Sequence, residues 1–149
     1  MIAFEDLTPG TVLELPSYRV TAEEIIEFAS QFDPQPFHLD GDSAQAESVG
    51  GLIASGWHTC AMAMRMFCDG YLLDSTSQGA PGCGAVRWLR PVRPGDVLSG
   101  TSTIRSARLS AKRPTLGIVE VDHEIRNQDG DLVLTMDNTG MFLTREDAA

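Results

Sequence analysis

The alternation of apolar and polar residues predicts that the second half of the chain is rich in strands. Between positions 119 and 125, apolar side chains and His123 alternate with charged ones, the period of two that is typical of a strand with one buried face. Asp129-Gly130 is a hairpin turn signal, and residues 131–143 are predicted to form the return strand. Further strands are predicted near 83–91, 96–109 and 115–127, with an early one at 12–15. Together these strands predict an antiparallel sheet.

The first half of the chain predicts helices. Thr21 is followed three positions later by Glu24, the arrangement of a capping box at a helix start. This helix is predicted to end at the Asp33-Pro34 step, because proline disfavours a helical conformation in the residue before it. Its apolar stripe has the spacing of one helix face and consists of Ile25, Phe28, Ala29 and Phe32. A short helical stretch at 42–49, closed by two glycines, is expected to follow.

A central helix is predicted at residues 57–73, with Ser55 and Gly56 as its cap. Apolar side chains lie on nearly all of its faces, so we expect this helix to be buried. Its methionines then either fill the core or line an apolar tunnel. An antiparallel sheet that wraps one buried helix makes an α+β fold. The chain of 149 residues has no repeat or linker, so we predict a single domain at 1–149.

Candidate chemistry lies in the stretch Phe-Asp-Pro-Gln-Pro-Phe-His at residues 32–38. Each proline favours an extended conformation in the residue before it, so we expect Asp33 and Gln35 to be extended and the segment to be non-helical. A carboxylate and an imidazole held in this way, at Asp33 and His38, can share one water molecule and move protons to and from it. The structural alternative is that Asp33 caps a turn and His38 lies on the surface.

This stretch, followed by Gly-Gly-Leu-Ile-Ala-Ser-Gly at residues 50–56, resembles the MaoC-like dehydratases and R-specific enoyl-CoA hydratases. Their signature, Asp-x-Asn-Pro-x-His, is matched at Asp33, Pro36 and His38, with Gln35 in place of asparagine. Residues 86–96 are similar to the family segment that enters the sheet, and the resemblance spans nearly the whole chain. It implies the hot-dog fold, in which an antiparallel β-sheet wraps around a long central helix.

The resemblance also implies an activity, the hydration of trans-2-enoyl-CoA thioesters to (R)-3-hydroxyacyl-CoA or the reverse dehydration. Asp33 and His38 would act on one water, and the N–H of Gly56 at the helix start would stabilise the enolate oxygen. The substrate is expected to contact Gln35, Ser55, Trp57, Arg87 and Arg90. The reaction needs no cofactor. Some hydratases support the catalytic pair with a serine two turns into the central helix, where this chain has Ala-Met at 63–64.

Two other functions remain open. In a hot-dog acyl-CoA thioesterase, Asp33 would activate water against the thioester carbonyl itself. In a non-catalytic acyl-CoA binding protein, the site would bind its ligand without turnover. The histidine partner at His38 favours the hydratase, because most thioesterases of this fold lack it.

The distribution of charge limits the possible partners. The net charge of −10 argues against nucleic acid. Residues 1–83 and 114–149 carry net charges of −10 and −6, whereas residues 84–113, the basic segment, carry +6. Its arginines, Arg87 and Arg90 among them, suit the phosphates of coenzyme A. They equally suit cross-strand pairing with Glu and Asp.

The remaining features bear on compartment, metals and assembly. Cys60, Cys68 and Cys83 lack CxxC spacing and are predicted to be free thiols of a cytoplasmic protein. We expect no secretory leader and no membrane span. His58 is expected to be structural or to line the pocket, and His123 to be a core histidine, so no metal site is predicted. An unpaired sheet edge predicts a homodimer or a multiple of dimers.

Overall fold

Five antiparallel strands curve around one helix in the computed structural model, which describes residues 1–148. The strands are β1 (Val12–Arg19), β2 (Cys83–Trp88), β3 (Val97–Leu109), β4 (Leu116–Arg126) and β5 (Leu132–Leu143). They form one sheet in the order β1-β3-β4-β5-β2, so that β1 and β2 are the edges. The predicted α+β hot-dog arrangement is confirmed, and the hairpin between β4 and β5 turns at Gly130 with a φ of 79°.

The helices are α1 (Ala22–Phe32), α2 (Pro36–Leu39), α3 (Ala44–Ser48) and the central α4 (Gly56–Phe67). A π-helical turn, Cys68–Leu72, continues α4, so the predicted span of 57–73 is helical but changes its winding. Within residues 1–148, no helix combines the length and the apolar character needed to cross a bilayer.

Only one of the two hydrogen bonds of the predicted capping box forms at the start of α1. The hydroxyl of Thr21 accepts a hydrogen bond from the N–H of Glu24 at 3.2 Å, as expected. The carboxylate of Glu24 turns away instead and accepts a hydrogen bond from the hydroxyl of Tyr18. The apolar stripe is also shorter than predicted, because Phe32 is 70% exposed. The last turn of α1 therefore projects beyond the core.

Helix α4 packs one face against the sheet and leaves the other open, so the prediction that it is buried on nearly all sides is wrong. Met62, Ala63, Met66 and Phe67 are buried. Trp57, on the opposite face, is 62% exposed, and Met64 is 48% exposed. A sheet that curves around a helix covers only the face turned toward it. The open face adjoins the β2 edge.

The two faces of the sheet follow the predicted alternation. On the inner face, Val119, Val121, His123 and Ile125 of β4 are all buried. On the outer face, Arg105 of β3 lies 2.7 Å from Asp122 and 3.5 Å from Glu120. For this member of the basic segment, cross-strand pairing is confirmed.

Candidate active site

The junction of α1 and α2 brings Asp33 and His38 together. Asp33 ends α1, and its backbone is only partly extended (φ −151°, ψ 68°), whereas Gln35 is extended as predicted (φ −79°, ψ 142°). The prediction of a non-helical segment is wrong at its end, because Pro36 starts the single turn of α2 that contains His38. Proline suits the first position of a helix, where its missing N–H would have no partner. This turn places His38 Nε2 3.3 Å from Asp33 Oδ2.

The protonation pattern of His38 is set by the chain before α4. Its ring is buried, and Nδ1 lies 2.7 Å from the carbonyl oxygen of Ile53. A carbonyl can only accept a hydrogen bond, so Nδ1 carries a proton. Nε2 is then the nitrogen that is left free to accept a proton, and it faces the Asp33 carboxylate.

Residues 53–54 are themselves fixed from both sides. The N–H of Ile53 donates to the carbonyl of Phe37 at 3.1 Å, and the N–H of Ala54 donates to the carbonyl of Val92 at 2.8 Å. The importance of Ile53 has no signal in the sequence, because it acts through its main chain.

The carboxylate of Asp33 is held by two donors. Ser55 Oγ donates to Oδ2 at 2.7 Å, and Gln35 Nε2 donates to Oδ1 at 2.7 Å. The bond from Ser55, followed by that from Gln35, lowers the pKa of the Asp33 carboxyl, although partial burial opposes them. Asp33 is therefore ionised at neutral pH. Ser55, predicted as a helix cap, forms no cap bond with its side chain, because its hydroxyl serves Asp33.

Gly56 begins α4, and its N–H belongs to the first turn, where backbone donors have no partner within the helix. The indole of Trp88 lies over this glycine, and a Cβ at Gly56 would be 2.6 Å from Trp88 Cε2. Trp57 meets Trp88 edge to face, with ring centroids 5.2 Å apart. Beside them is a cavity of about 290 Å³, whose lining includes His38, Ile53, Gly56, Thr59, Trp88 and Arg90. A small ligand there would reach both the imidazole and the helix start.

The arginines of the basic segment have separate positions. Arg90 lines this cavity and lies 3.7 Å from Asp131, while Arg87 is exposed on β2. Arg93 instead donates from Nη2 to the carbonyl of Val49 at 2.5 Å and braces the turn before the central helix. Of these three arginines, Arg90 is therefore the one that is placed to meet a ligand at the cavity.

A second polar group lies on the other side of α4. His58 is buried, stacks on Phe28 at 4.7 Å between centroids, and has Nε2 3.5 Å from Glu24 Oε1. Burial lowers the pKa of His58, although Glu24 acts in the opposite direction. These residues, with Tyr18, line a groove of about 370 Å³ between α1 and α4. His58 thus packs into the structure and also lines a cavity. Its contact with Glu24 was not predicted, because Glu24 was interpreted as part of a capping box.

In the part of the chain that the structure describes, no three His, Cys, Asp or Glu side chains are grouped so as to hold a metal ion. All three cysteines are free thiols. His123 is a buried core residue, stacked on Phe67 with centroids 4.1 Å apart.

Replacing Ser55 with Ala is expected to raise the pKa of Asp33 by removing its strongest stabilising donor. Because the pKa is lowered in the folded protein, the ionised carboxylate is present above that value and is lost as pH falls through it. In Ser55→Ala, the acid limb of the kcat/KM profile should therefore move to higher pH. Ser48→Ala, which removes an exposed hydroxyl bonded only to a backbone carbonyl, is the matched control. An unshifted acid limb in Ser55→Ala would contradict this role.

Comparisons with known proteins identify the family of this chain. Residues 5–124 match the family model described as "MaoC like domain". The Bacillus subtilis protein YdeM, described as uncharacterized, is 30% identical over 125 residues, which cover 83% of this chain and 86% of YdeM.

Two solved structures share the fold. The crystal structure of the MaoC-like dehydratase from Rhodospirillum rubrum is 37% identical, with a TM-score of 0.89, and the match covers 97% of this chain and 99% of that one. The (R)-hydratase from A. caviae involved in PHA biosynthesis is 24% identical, with a TM-score of 0.69 and coverage of 91% and 96%. The chain belongs to the MaoC-like domain family, and its fold is the hot-dog fold of MaoC-like dehydratases and (R)-hydratases.

Proposed function

We propose that this protein catalyses the hydration of trans-2-enoyl-CoA thioesters to (R)-3-hydroxyacyl-CoA, or the reverse dehydration. The observation that carries the proposal is the ionised carboxylate of Asp33, 3.3 Å from Nε2 of His38. Both lie near a helix start whose first N–H groups have no side-chain cap. The family match and the names of the R. rubrum and A. caviae proteins support the same reaction class.

In the hydration direction, a water molecule is held by Asp33 and by His38 Nε2. As its oxygen bonds to C3, Nε2 takes a proton from it, and the electrons of the C2–C3 double bond move onto the thioester oxygen. The N–H of Gly56 donates to this enolate oxygen. The imidazolium then returns the proton to C2, and the enolate collapses to the thioester. The net change is the addition of one water, and Asp33 remains ionised throughout.

Crotonyl-CoA separates this proposal from its rivals. Hydration removes the absorbance of the conjugated enoyl thioester and leaves coenzyme A attached. A thioesterase would instead release a free thiol, and a binding protein would do neither. Thiol release at the rate of substrate loss would overturn the hydratase proposal.

We propose that Arg87 and Arg90 bind the phosphates of coenzyme A. Such contacts are similar in the ground and transition states, so Arg87→Ala and Arg90→Ala should raise KM more than they lower kcat. The expected increase is about two- to fivefold, the scale of one solvent-exposed charge pair. The effect should fade with salt, because exposed charges are screened over about 8 Å at physiological ionic strength.

A short enoyl thioester that lacks the nucleotide should be insensitive to both substitutions. Arg126→Ala, which removes an exposed arginine paired with Glu124, is the control for altered net charge. Equal losses on both substrates would mean that the two arginines support the fold.

We also propose a homodimer, or a multiple of dimers, formed through the β2 edge. An edge strand presents backbone groups that can pair with another chain, and β2 is exposed at nearly every position. The open face of α4, with Trp57 and Met64, lies beside this edge and would be covered in a symmetric pair. Sedimentation at micromolar concentration should give at least twice the 16.1 kDa mass of one chain. A mass of one chain would rule the dimer out.

For its location, we propose the cytoplasm. Cys60, Cys68 and Cys83 are all free, and a reducing compartment would keep them so.

A further inference from the structure

A second cavity lies farther along the open face of α4. It has a volume of about 270 Å³, and its lining includes Met64, Phe67, Tyr71, Met136, Asn138 and Phe142. Gly56 and Met64 are eight residues apart on α4, a distance of about 12 Å along the helix axis. Trp88 and Cys83, at the two ends of β2, line the first and second cavities respectively. Both cavities thus lie between α4 and β2, the first at the Trp88 end of the strand and the second at its Cys83 end, and no described residue lines both.

The second cavity is mostly apolar, and its lining includes the polar groups of Ser77, Tyr71 and, from β5, Asn138. Alternate residues of a strand face the same side, so Asn138 faces α4 together with Met136 and Gly140, which also line the cavity. Gly140 adds no side chain, and the ring of Phe142 packs against it, 2.9 Å from where a Cβ would lie. Among the described residues that line the cavity, none is charged.

The amide of Asn138 is held by a buried hydrogen-bond chain. Its Oδ1 lies 3.0 Å from Nε2 of His123, and Nδ1 of that ring lies 2.7 Å from the hydroxyl of Ser102. An amide oxygen only accepts, so Nε2 carries the ring proton and the hydroxyl of Ser102 donates to Nδ1. Burial lowers the pKa of His123, which agrees with a neutral ring.

The hydrogen bond with His123 leaves the Nδ2 amino group of Asn138 without a protein acceptor among residues 1–148. Nδ2 is also not among the buried atoms that lack a partner. The amide therefore presents an accessible donor at the second cavity, beside a polar pocket that Asn138 also lines with Asp137 and with Arg105, which is already paired with Asp122. A few polar groups on an apolar lining are what fix the orientation and identity of a ligand.

The polarity of the lining limits what the donor can meet. A carboxylate on the ligand would lose its hydration without gaining a cationic partner there, which is unfavourable. A neutral oxygen, such as a ketone or a hydroxyl, would pair with Nδ2 at little cost. A plain alkyl chain would cover the amino group and leave it without a partner.

We propose that Asn138 is a specificity-determining residue that selects acyl thioesters whose chain carries a neutral hydrogen-bond acceptor, a ketone or a hydroxyl, remote from the thioester. This inference rests on the proposed function, since it assumes that the acyl chain runs from Gly56 into the second cavity. The His123–Ser102 pair orients the amide and has no part in the chemistry.

The test measures binding of saturated acyl-CoA thioesters, which cannot be hydrated, by titration calorimetry. One series has a single chain length and a ketone at successive carbons, and the reference is the unsubstituted thioester. The natural protein should bind the best ketone about tenfold more tightly than the reference, the scale of one neutral hydrogen bond. In Asn138→Leu, which is close in size, this preference should fall to about one.

Asn138→Leu also removes the acceptor of His123, so melting curves must show that it is folded. Asn138→Asp keeps an oxygen for His123 and replaces the donor by an acceptor, so it should lose the preference for the ketone even if the leucine variant does not fold. Thr139→Ala, on the outer face of the same strand, should keep the natural preference. No ketone preference in the natural protein, or a preference retained in Asn138→Leu or Asn138→Asp, would overturn the inference. If the preference holds while crotonyl-CoA is not hydrated, only the proposed function fails.

Discussion

Asp33→Asn and His38→Ala should each lower kcat by at least about 10²-fold, the usual contribution of a positioned acid–base group. Asparagine can still accept the hydrogen bond from Ser55, but it lacks the charge that stabilises the imidazolium. Alanine at position 38 removes the imidazole nitrogen that faces Asp33. Steady-state hydration of the best enoyl-CoA substrate, with kcat and KM measured separately, checks both.

Folding must be separated from chemistry in this experiment. His38→Ala leaves the carbonyl of Ile53 without its partner, which costs about 1–3 kcal/mol of stability. Rates should therefore be expressed per folded protein, measured by melting. Asp42→Asn, an exposed carboxylate in the next turn, is the control for a lost negative charge. If either active-site variant kept a near-natural kcat, the one-water mechanism would be wrong.

Gly56→Ala is expected to lower kcat/KM by about 10²-fold, close to the loss of one oxyanion donor. The added methyl group would lie where Trp88 now packs, at 2.6 Å from its ring, and would also stand between the substrate and the helix start. Hydration rates of Gly56→Ala, Trp88→Ala and the double variant distinguish the two effects.

We expect the double variant to remain about as slow as Gly56→Ala, because removing the indole does not clear the methyl group from the path of the thioester oxygen. Recovery to the rate of Trp88→Ala would mean that the clash with Trp88 alone caused the loss. Either result depends on folded protein, which the exposed position of Trp88 favours, since its ring has room to move.

The fold was predictable because its signals are periodic and local. The alternation in β4 and the glycine of the β4–β5 turn depend on nearest neighbours, and both were confirmed. The exposed face of α4 could not be predicted from the sequence. An apolar face that binds another chain or a ligand has the same composition as one that packs on the sheet. Phe32 at the end of α1 shows the same limit.

The candidate site was predictable only in part. The Asp33–His38 spacing pointed to a pair, and the structure brings the two side chains together. The supports of the pair were not predictable. Ser55 looks like a helix cap in the sequence, and only the fold shows its hydroxyl turned toward a carboxylate 22 residues earlier. Asn138 belongs to no sequence motif. Its proposed role depends on its hydrogen bond with His123 of the neighbouring strand β4.

The segment from Ile53 to Gly56 positions or supplies each group of the proposed chemistry. The carbonyl of Ile53 holds Nδ1 of His38, Ser55 keeps Asp33 ionised, and Gly56 supplies the N–H at the helix start. The spacing of these four residues therefore fixes the relative positions of three separate groups at once. Inserting or deleting one residue here would misplace all three groups together, so the length of this segment must stay constant.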